Sequence, residues 1–174
     1  MNSEEKQEAR YFPVSSTKLV VMSACTLGLY QIYWAWNCWE YVKARDDKRF
    51  NPAWRSVYVF SFFFNFLLFW DISREAGLSK PMSLARSVGL GFAYGGCWNL
   101  GTVLQDSRWS PTILLSFFVL IPVQAQINRI NEFEAPGHDP NRRFSAANIT
   151  AVVVGGLVLL LGLVSTFLGP HWDR

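Results

Sequence analysis

The charged residues of this chain are distributed so that five long stretches contain none. These stretches cover residues 19–39, 56–70, 87–105, 109–128 and 144–172, with lengths of 21, 15, 19, 20 and 29 residues. A helix needs roughly 20 apolar residues to cross a hydrocarbon core about 30 Å thick. Because an open strand edge would leave backbone groups unsatisfied in lipid, the pattern predicts an all-α, polytopic helical membrane protein with three to five transmembrane helices.

The composition excludes several other classes of protein. Hydrophobic residues make up 51% of the chain and charged residues 17%, which argues against a soluble, disordered or collagen-like chain. A net charge of +3 is too small to indicate a nucleic-acid partner. The three cysteines, Cys25, Cys38 and Cys97, lie in apolar stretches without CxxC spacing. We therefore expect no disulfide framework, no metal site and no cofactor.

The ends of the chain are polar, and the apolar stretches between them have no composition break. We divide the sequence into a polar N-terminal tail at 1–17, a single helical membrane domain at 18–169 and a C-terminal tail at 170–174.

The Lys and Arg residues between the stretches leave the topology open. If all five stretches cross the membrane, nine positive residues lie on one side and seven on the other. If 19–39 and 109–128 instead enter and leave by the same face, the division becomes 12 against four. Cytoplasmic loops are enriched in Lys and Arg, so two re-entrant or broken stretches with three full crossings compete with five ordinary crossings.

Each proposed re-entrant stretch contains a residue suited to a helix break. Gly28 lies ten residues after Lys18 and twelve before Glu40, and Pro122 removes a helix hydrogen bond within its stretch. Half-helices of about ten residues reach only half of the core.

Small residues recur every four positions in two of the stretches, which is typical of close helix packing in membranes. They are Ser83, Ser87, Gly91 and Gly95 in one stretch and Ala147, Ala151 and Gly155 in another. Packing within the monomer and contact in a dimer are both compatible with this spacing.

Polar residues inside the stretches are candidates for helix contacts or for a polar site. The candidates are Asn37, Asn65, Asn99, Gln124, Asn128 and Asn131. Gln124, Asn128 and Asn131 share one helix face, and Asn37 is their expected counterpart in the other broken stretch. Asp71 and Arg86 are the predicted intramembrane ion pair, because the short loop between them returns to the same interface.

One part of the sequence resembles a known family. The motif consists of Lys18-Leu19, Ser23, Thr26, Gly28, Tyr30, Tyr33-Trp34, Asn37 and Trp39, followed by Asn51-Pro52-Ala53-Trp54-Arg55. It resembles a family of small bacterial multi-pass membrane proteins defined as a domain of unknown function. The resemblance covers roughly residues 12–72 and implies the bacterial cytoplasmic (inner) membrane. It implies no catalytic residue, substrate or cofactor.

The sequence contains no recognisable catalytic set. We therefore expect a non-enzymatic protein with an interaction or membrane-organising role; the alternative is a small transporter or channel with a polar site formed by the two broken segments. The expected partner is the lipid bilayer, with anionic-lipid contact through Lys43, Lys48 and Arg49. A homo-oligomer is a further expectation.

Overall fold

The computed structural model describes residues 9–46, 49–57, 68–71, 83–103 and 112–168. These residues form α1 (Ser16–Cys25), α2 (Leu29–Asp46), α3 (Pro52–Val57), α4 (Leu84–Val103), α5 (Thr112–Glu134) and α6 (Ala146–Leu168). Residues 68–71 are also helical, and these five ranges contain no strand. The predicted all-α class is confirmed for this part of the chain.

One helix in the described ranges is long and apolar enough to cross a membrane. It is α6, in which Ala146–Ser165 has a mean hydropathy of 2.4 and is not buried by the rest of the protein. α1 is apolar but only ten residues long. The prediction of three to five spanning helices is therefore not confirmed by these residues. In the first apolar stretch the reason is local, because a turn divides it into α1 and α2.

The turn between α1 and α2 is a Schellman motif at the predicted glycine. Gly28 N donates to Ser23 O at 2.8 Å, and Leu27 N donates to Ala24 O at 3.1 Å, the two bonds that define this helix end. Leu27 has φ +50° and Gly28 has φ +91°. Thr26 Oγ1 donates to Met22 O and accepts from Tyr30 N, so one hydroxyl links the end of α1 to the start of α2.

Pro122 does not divide its stretch, and the break predicted there is wrong. α5 runs from Thr112 to Glu134 with Pro122 inside it. A proline inside a helix removes a single backbone donor, and the helix continues where tertiary packing holds the residues on either side. Leu120 and Val123, on either side, are both fully buried, so the packing of α5 is maintained across the proline.

The chain doubles back between α1 and α2. The rings of Phe12, before α1, and Tyr33, in α2, are 5.7 Å apart. Val14 O and Trp34 Nε1 both bond to Gln124. Residues on the two sides of the turn therefore lie next to each other, as in a helical hairpin.

α1 runs alongside the first half of α6. Lys18 Nζ bonds to Arg143 O, just before α6 begins. At the other end of α1, a Cβ on Gly155 would lie 1.7 Å from Cys25 O, so the two backbones are in direct contact. The small residues Ala151 and Gly155 therefore pack within the monomer, with Ala151 against the core.

The corresponding small residues of α4 pack in a similar way. Ser87, Gly91 and Gly95 are buried, whereas Ser83 is exposed at the start of the helix. α4 makes its main contacts with α5. Side chains without bulk at these positions allow the two helices to approach closely.

Residues 9–15 differ from the polar tail that the sequence suggests. Tyr11 and Val14 are fully buried, and Phe12 belongs to the same core as α2 and α5. This segment precedes α1 and packs along the C-terminal half of α5, so the hydrophobic core begins at Tyr11 rather than at Lys18.

Candidate functional site

A pair of hydrogen bonds joins the N-terminal segment to α5. Asn131 Oδ1 accepts from Tyr11 N at 2.9 Å, and Asn131 Nδ2 donates to Tyr11 O at 2.9 Å. Asn131 and Tyr11 are both fully buried. The amide thus satisfies both backbone polar groups of one residue outside the helices.

Gln124 is the centre of a second set of bonds, two turns earlier on α5. Its Oε1 accepts from Trp34 Nε1 at 2.6 Å. Its Nε2 donates to Val14 O at 3.0 Å and to Asn128 Oδ1 at 2.9 Å. The side chain therefore connects α2, α5 and the segment before α1.

Gln31 forms a third connection, deeper in the bundle. Its Oε1 accepts from Tyr94 OH, and its Nε2 lies 3.5 Å from Ser116 Oγ. All three side chains are fully buried, so α2, α4 and α5 meet here. Gln31, Trp34 and Cys38 follow helical spacing, and this spacing is the signal that identifies the buried face of α2.

Gln124 and Asn131 use both of their polar side-chain atoms in hydrogen bonds within the protein, whereas Gln126 Nε2 is buried without a hydrogen-bond partner. Both donor hydrogens and the acceptor of Gln124 have partners, and so do both polar atoms of Asn131. Model systems assign about 0.6 kcal/mol to such an interhelical bond, and up to about 1–2 kcal/mol. This geometry fixes the register of α2, α5 and the N-terminal segment.

Two of the other predicted polar residues form a hydrogen bond within their own helix. Asn37 Nδ2 bonds to Tyr33 O of its own helix, and Asn99 Nδ2 bonds to Gly95 O. Trp34, and not Asn37, donates to Gln124, because Trp34 lies on the face of α2 that is turned towards α5. Asn65 lies outside the described residues.

Asp71 forms an ion pair, but the partner predicted for it is wrong. Arg45 Nη2 lies 2.9 Å from Asp71 Oδ2, and Tyr11 OH lies 3.3 Å from the same oxygen. Arg86 is exposed on α4. Arg45, in the charged C-terminal part of α2, is the cation that contacts Asp71, so the pair joins α2 to residues 68–71.

Other charged residues lie at the ends of the helices. Arg10 Nη1 pairs with Glu134 Oε2 at 2.8 Å. Arg55 lies over the rings of Trp39 and Phe50, at 4.6 and 3.9 Å from their centroids. These contacts hold the N-terminal segment to α5, and α3 to α2.

The residues proposed for contact with anionic lipid lie partly in the described ranges. Lys43 is half-buried on α2, and Arg49 is exposed after it. Lys48 lies outside the described residues.

A buried lysine holds the loop between α5 and α6. Lys18 is only 4% exposed. Its Nζ donates to Asn141 Oδ1 at 2.8 Å and to Arg143 O at 2.7 Å, and it lies 5.7 Å from the centre of the Phe144 ring. Burial lowers the pKa of Lys18 from its ordinary value, and the charge of Asp139 partly opposes this effect.

Two cavities adjoin this loop. The larger one, of about 620 Å³, is lined by the start of α1, by Asn128 and Glu132 of α5 and by the loop residues His138 and Arg142. The second one, which we call the basic cavity, measures about 440 Å³ and is lined by Lys18 and Arg143 together with residues of α1, α2 and α6.

Within the described ranges, no group of three His, Cys, Asp or Glu side chains is arranged to hold a metal ion.

Comparisons of the chain with protein-family models, with curated proteins and with solved structures found no match. The family resemblance noted in the sequence therefore stays a prediction.

Proposed function

We propose that the chain is an integral membrane protein with a non-enzymatic, membrane-organising role. In this proposal α6 spans the bilayer, and the α1–α2 hairpin is re-entrant, entering and leaving by one face. The protein then displaces more lipid from one leaflet than from the other. The family resemblance adds the bacterial inner membrane as its location.

The observation that carries the proposal is the contact between Cys25 O and Gly155. Gly155 lies in the middle of the 20-residue apolar stretch Ala146–Ser165. α1 has ten residues and is therefore about 15 Å long, which is half of a hydrocarbon core of about 30 Å. If α6 spans, the turn after α1 lies near the midplane.

The ends of the other helices support the same arrangement. Lys18, at the start of α1, lies beside Arg143, just before α6. Arg45, near the end of α2, lies 5.3 Å from the Tyr11 ring, and the backbone of Tyr11 bonds to Asn131 near the end of α5. The entry to α1 and the ends of α2 and α5 therefore lie on the side where α6 begins.

An excess of protein in one leaflet gives a testable dependence on curvature. Single cysteines at Arg142 and at Ser165, which are exposed near the two ends of α6, are introduced into a cysteine-free chain and reconstituted in vesicles. An impermeant dye then labels only the molecules whose chosen end faces outward. We expect molecules labelled at position 142 to be enriched in highly curved vesicles and those labelled at 165 to be depleted.

The opposite orientation of the same protein is the control in this experiment. Equal distribution of the two labelled populations, or enrichment of the 165-labelled one, contradicts the proposal.

The transporter alternative has one supporting feature, the interrupted helix at residues 26–28, which resembles the broken helices of transporters. Against it, the polar side-chain atoms of Gln124 and Asn131 already have partners within the protein. A liposome flux assay separates the two functions, because substrate-dependent flux that is lost in Asn128→Ala would favour transport.

A further inference from the structure

Lys18 is unusual among the buried groups because it is a cation that no carboxylate of the described residues contacts. It is 96% buried, and its Nζ donates to a neutral amide oxygen and a backbone carbonyl. Among the described residues no carboxylate lies within 4.0 Å of its Nζ. A buried charge without a counter-charge is costly, and in a membrane protein it indicates a functional site.

The lining of the basic cavity beside Lys18 combines cationic, polar and apolar side chains. Lys18, Arg143, Ser145 and Asn148 belong to the cationic and polar part, and the apolar part includes Met22, which lies one turn after Lys18 on α1, and Tyr30 of α2. No acidic residue lines the cavity within the described ranges. The start of α6 faces the same space through Ser145 and Asn148, and a helix N-terminus carries partial positive charge.

We propose that the basic cavity binds one anionic phospholipid. The lipid phosphate lies between Lys18 and Arg143, and the first carbons of its acyl chains lie against Met22 and Tyr30. The phosphate supplies a contacting counter-charge for Lys18, which the described residues do not provide, since Asp139 acts on Lys18 without forming an ion pair. This inference rests on the proposed membrane placement, because only a molecule in the leaflet presents a phosphate and acyl chains together at this depth.

Arg143 offers a cleaner test than Lys18. The backbone carbonyl of Arg143, and not its side chain, accepts from Lys18, so Arg143→Gln removes a cation and leaves the loop attached. Lys18→Met removes the buried cation itself and tests the same site at greater risk to folding. Arg129→Gln is the matched control, because Arg129 is exposed on α5 and lines neither cavity.

The full-length protein in detergent is examined by native mass spectrometry with added phosphatidylglycerol, with phosphatidylcholine of the same chains, and with inorganic phosphate as competitor. We expect one retained phosphatidylglycerol per chain. Arg143→Gln should bind it about fivefold more weakly, as expected for loss of one surface cation, and Arg129→Gln should match the wild type.

Three results overturn the lipid site. They are equal retention in the Arg143→Gln and Arg129→Gln variants, equal retention of phosphatidylcholine, and displacement of the lipid by millimolar phosphate, which would indicate a site for free phosphate. Flotation with vesicles tests membrane placement separately. A protein that floats without retaining phosphatidylglycerol contradicts this inference alone, whereas a protein that does not float contradicts the proposed function.

Discussion

Replacing Gln124 by Met should destabilise the fold strongly, because this side chain makes three hydrogen bonds, two of them buried. The substitution keeps the length of the side chain and removes the bonds to Trp34, Val14 and Asn128. Average interhelical bonds of about 0.6 kcal/mol give a loss near 2 kcal/mol. The stranded indole N–H and the Val14 carbonyl raise this towards about 4 kcal/mol, since each unsatisfied buried group costs about 1–3 kcal/mol.

The matched control is Asn37→Met, since the Asn37 side chain bonds only to a carbonyl of its own helix. We expect that variant to lie within about 0.5 kcal/mol of the wild type, as surface substitutions do. Unfolding in mixed micelles, followed by circular dichroism, gives both free energies. A loss in Gln124→Met no larger than that in Asn37→Met would refute the view that this network holds α2 to α5.

Three further predictions concern the helix contacts. Gly155→Ala should lower the free energy of unfolding by about 1–3 kcal/mol, as overpacking does, because the new Cβ meets Cys25 O, whereas Gly162→Ala, where a Cβ meets nothing within 4 Å, should be neutral or stabilising. Equal effects of the two substitutions in thermal unfolding would argue against the α1–α6 contact. Leu27→Gly should stabilise by up to about 1 kcal/mol, because φ +50° strains a residue with a side chain; a lower melting temperature would contradict this. Exchanging the charges of Arg45 and Asp71 together should restore the stability lost in either single reversal, whereas exchanging those of Arg86 and Asp71 should not. Rescue by the Arg86–Asp71 exchange would show that Arg86, and not Arg45, pairs with Asp71.

The sequence was sufficient to predict the interruption at Gly28. The break predicted at Pro122 is wrong, and this error has a physical explanation. Gly28 adopts φ +91°, which a residue without a side chain tolerates, so residue type and position together indicate a turn. Pro122 also weakens a helix locally, but the contacts of Leu120 and Val123 hold α5 together across it. Helix continuity there depends on tertiary packing, which the sequence of the segment does not contain.

The polar stripe of α5 shows a similar limit. Helical spacing places Gln124, Asn128 and Asn131 on one face, and two of them are fully buried. Their partners were not predictable, because Tyr11 and Val14 lie in a segment classed as a polar tail and contribute backbone groups rather than side chains. The residue spacing of one helix indicates which of its residues share a face, but it does not indicate which residues of other segments pack against that face.

Single-cysteine accessibility tests the central claim, the return of the α1–α2 hairpin to its face of entry, most directly. Thr17, Arg49 and Arg142 are exposed, and each is replaced by cysteine in a chain without Cys25, Cys38 and Cys97, then treated with an impermeant maleimide in oriented membranes. We expect all three positions to react from the same side. Labelling of position 49 from the side opposite to positions 17 and 142 would show that α1 and α2 cross the membrane, and would contradict the account.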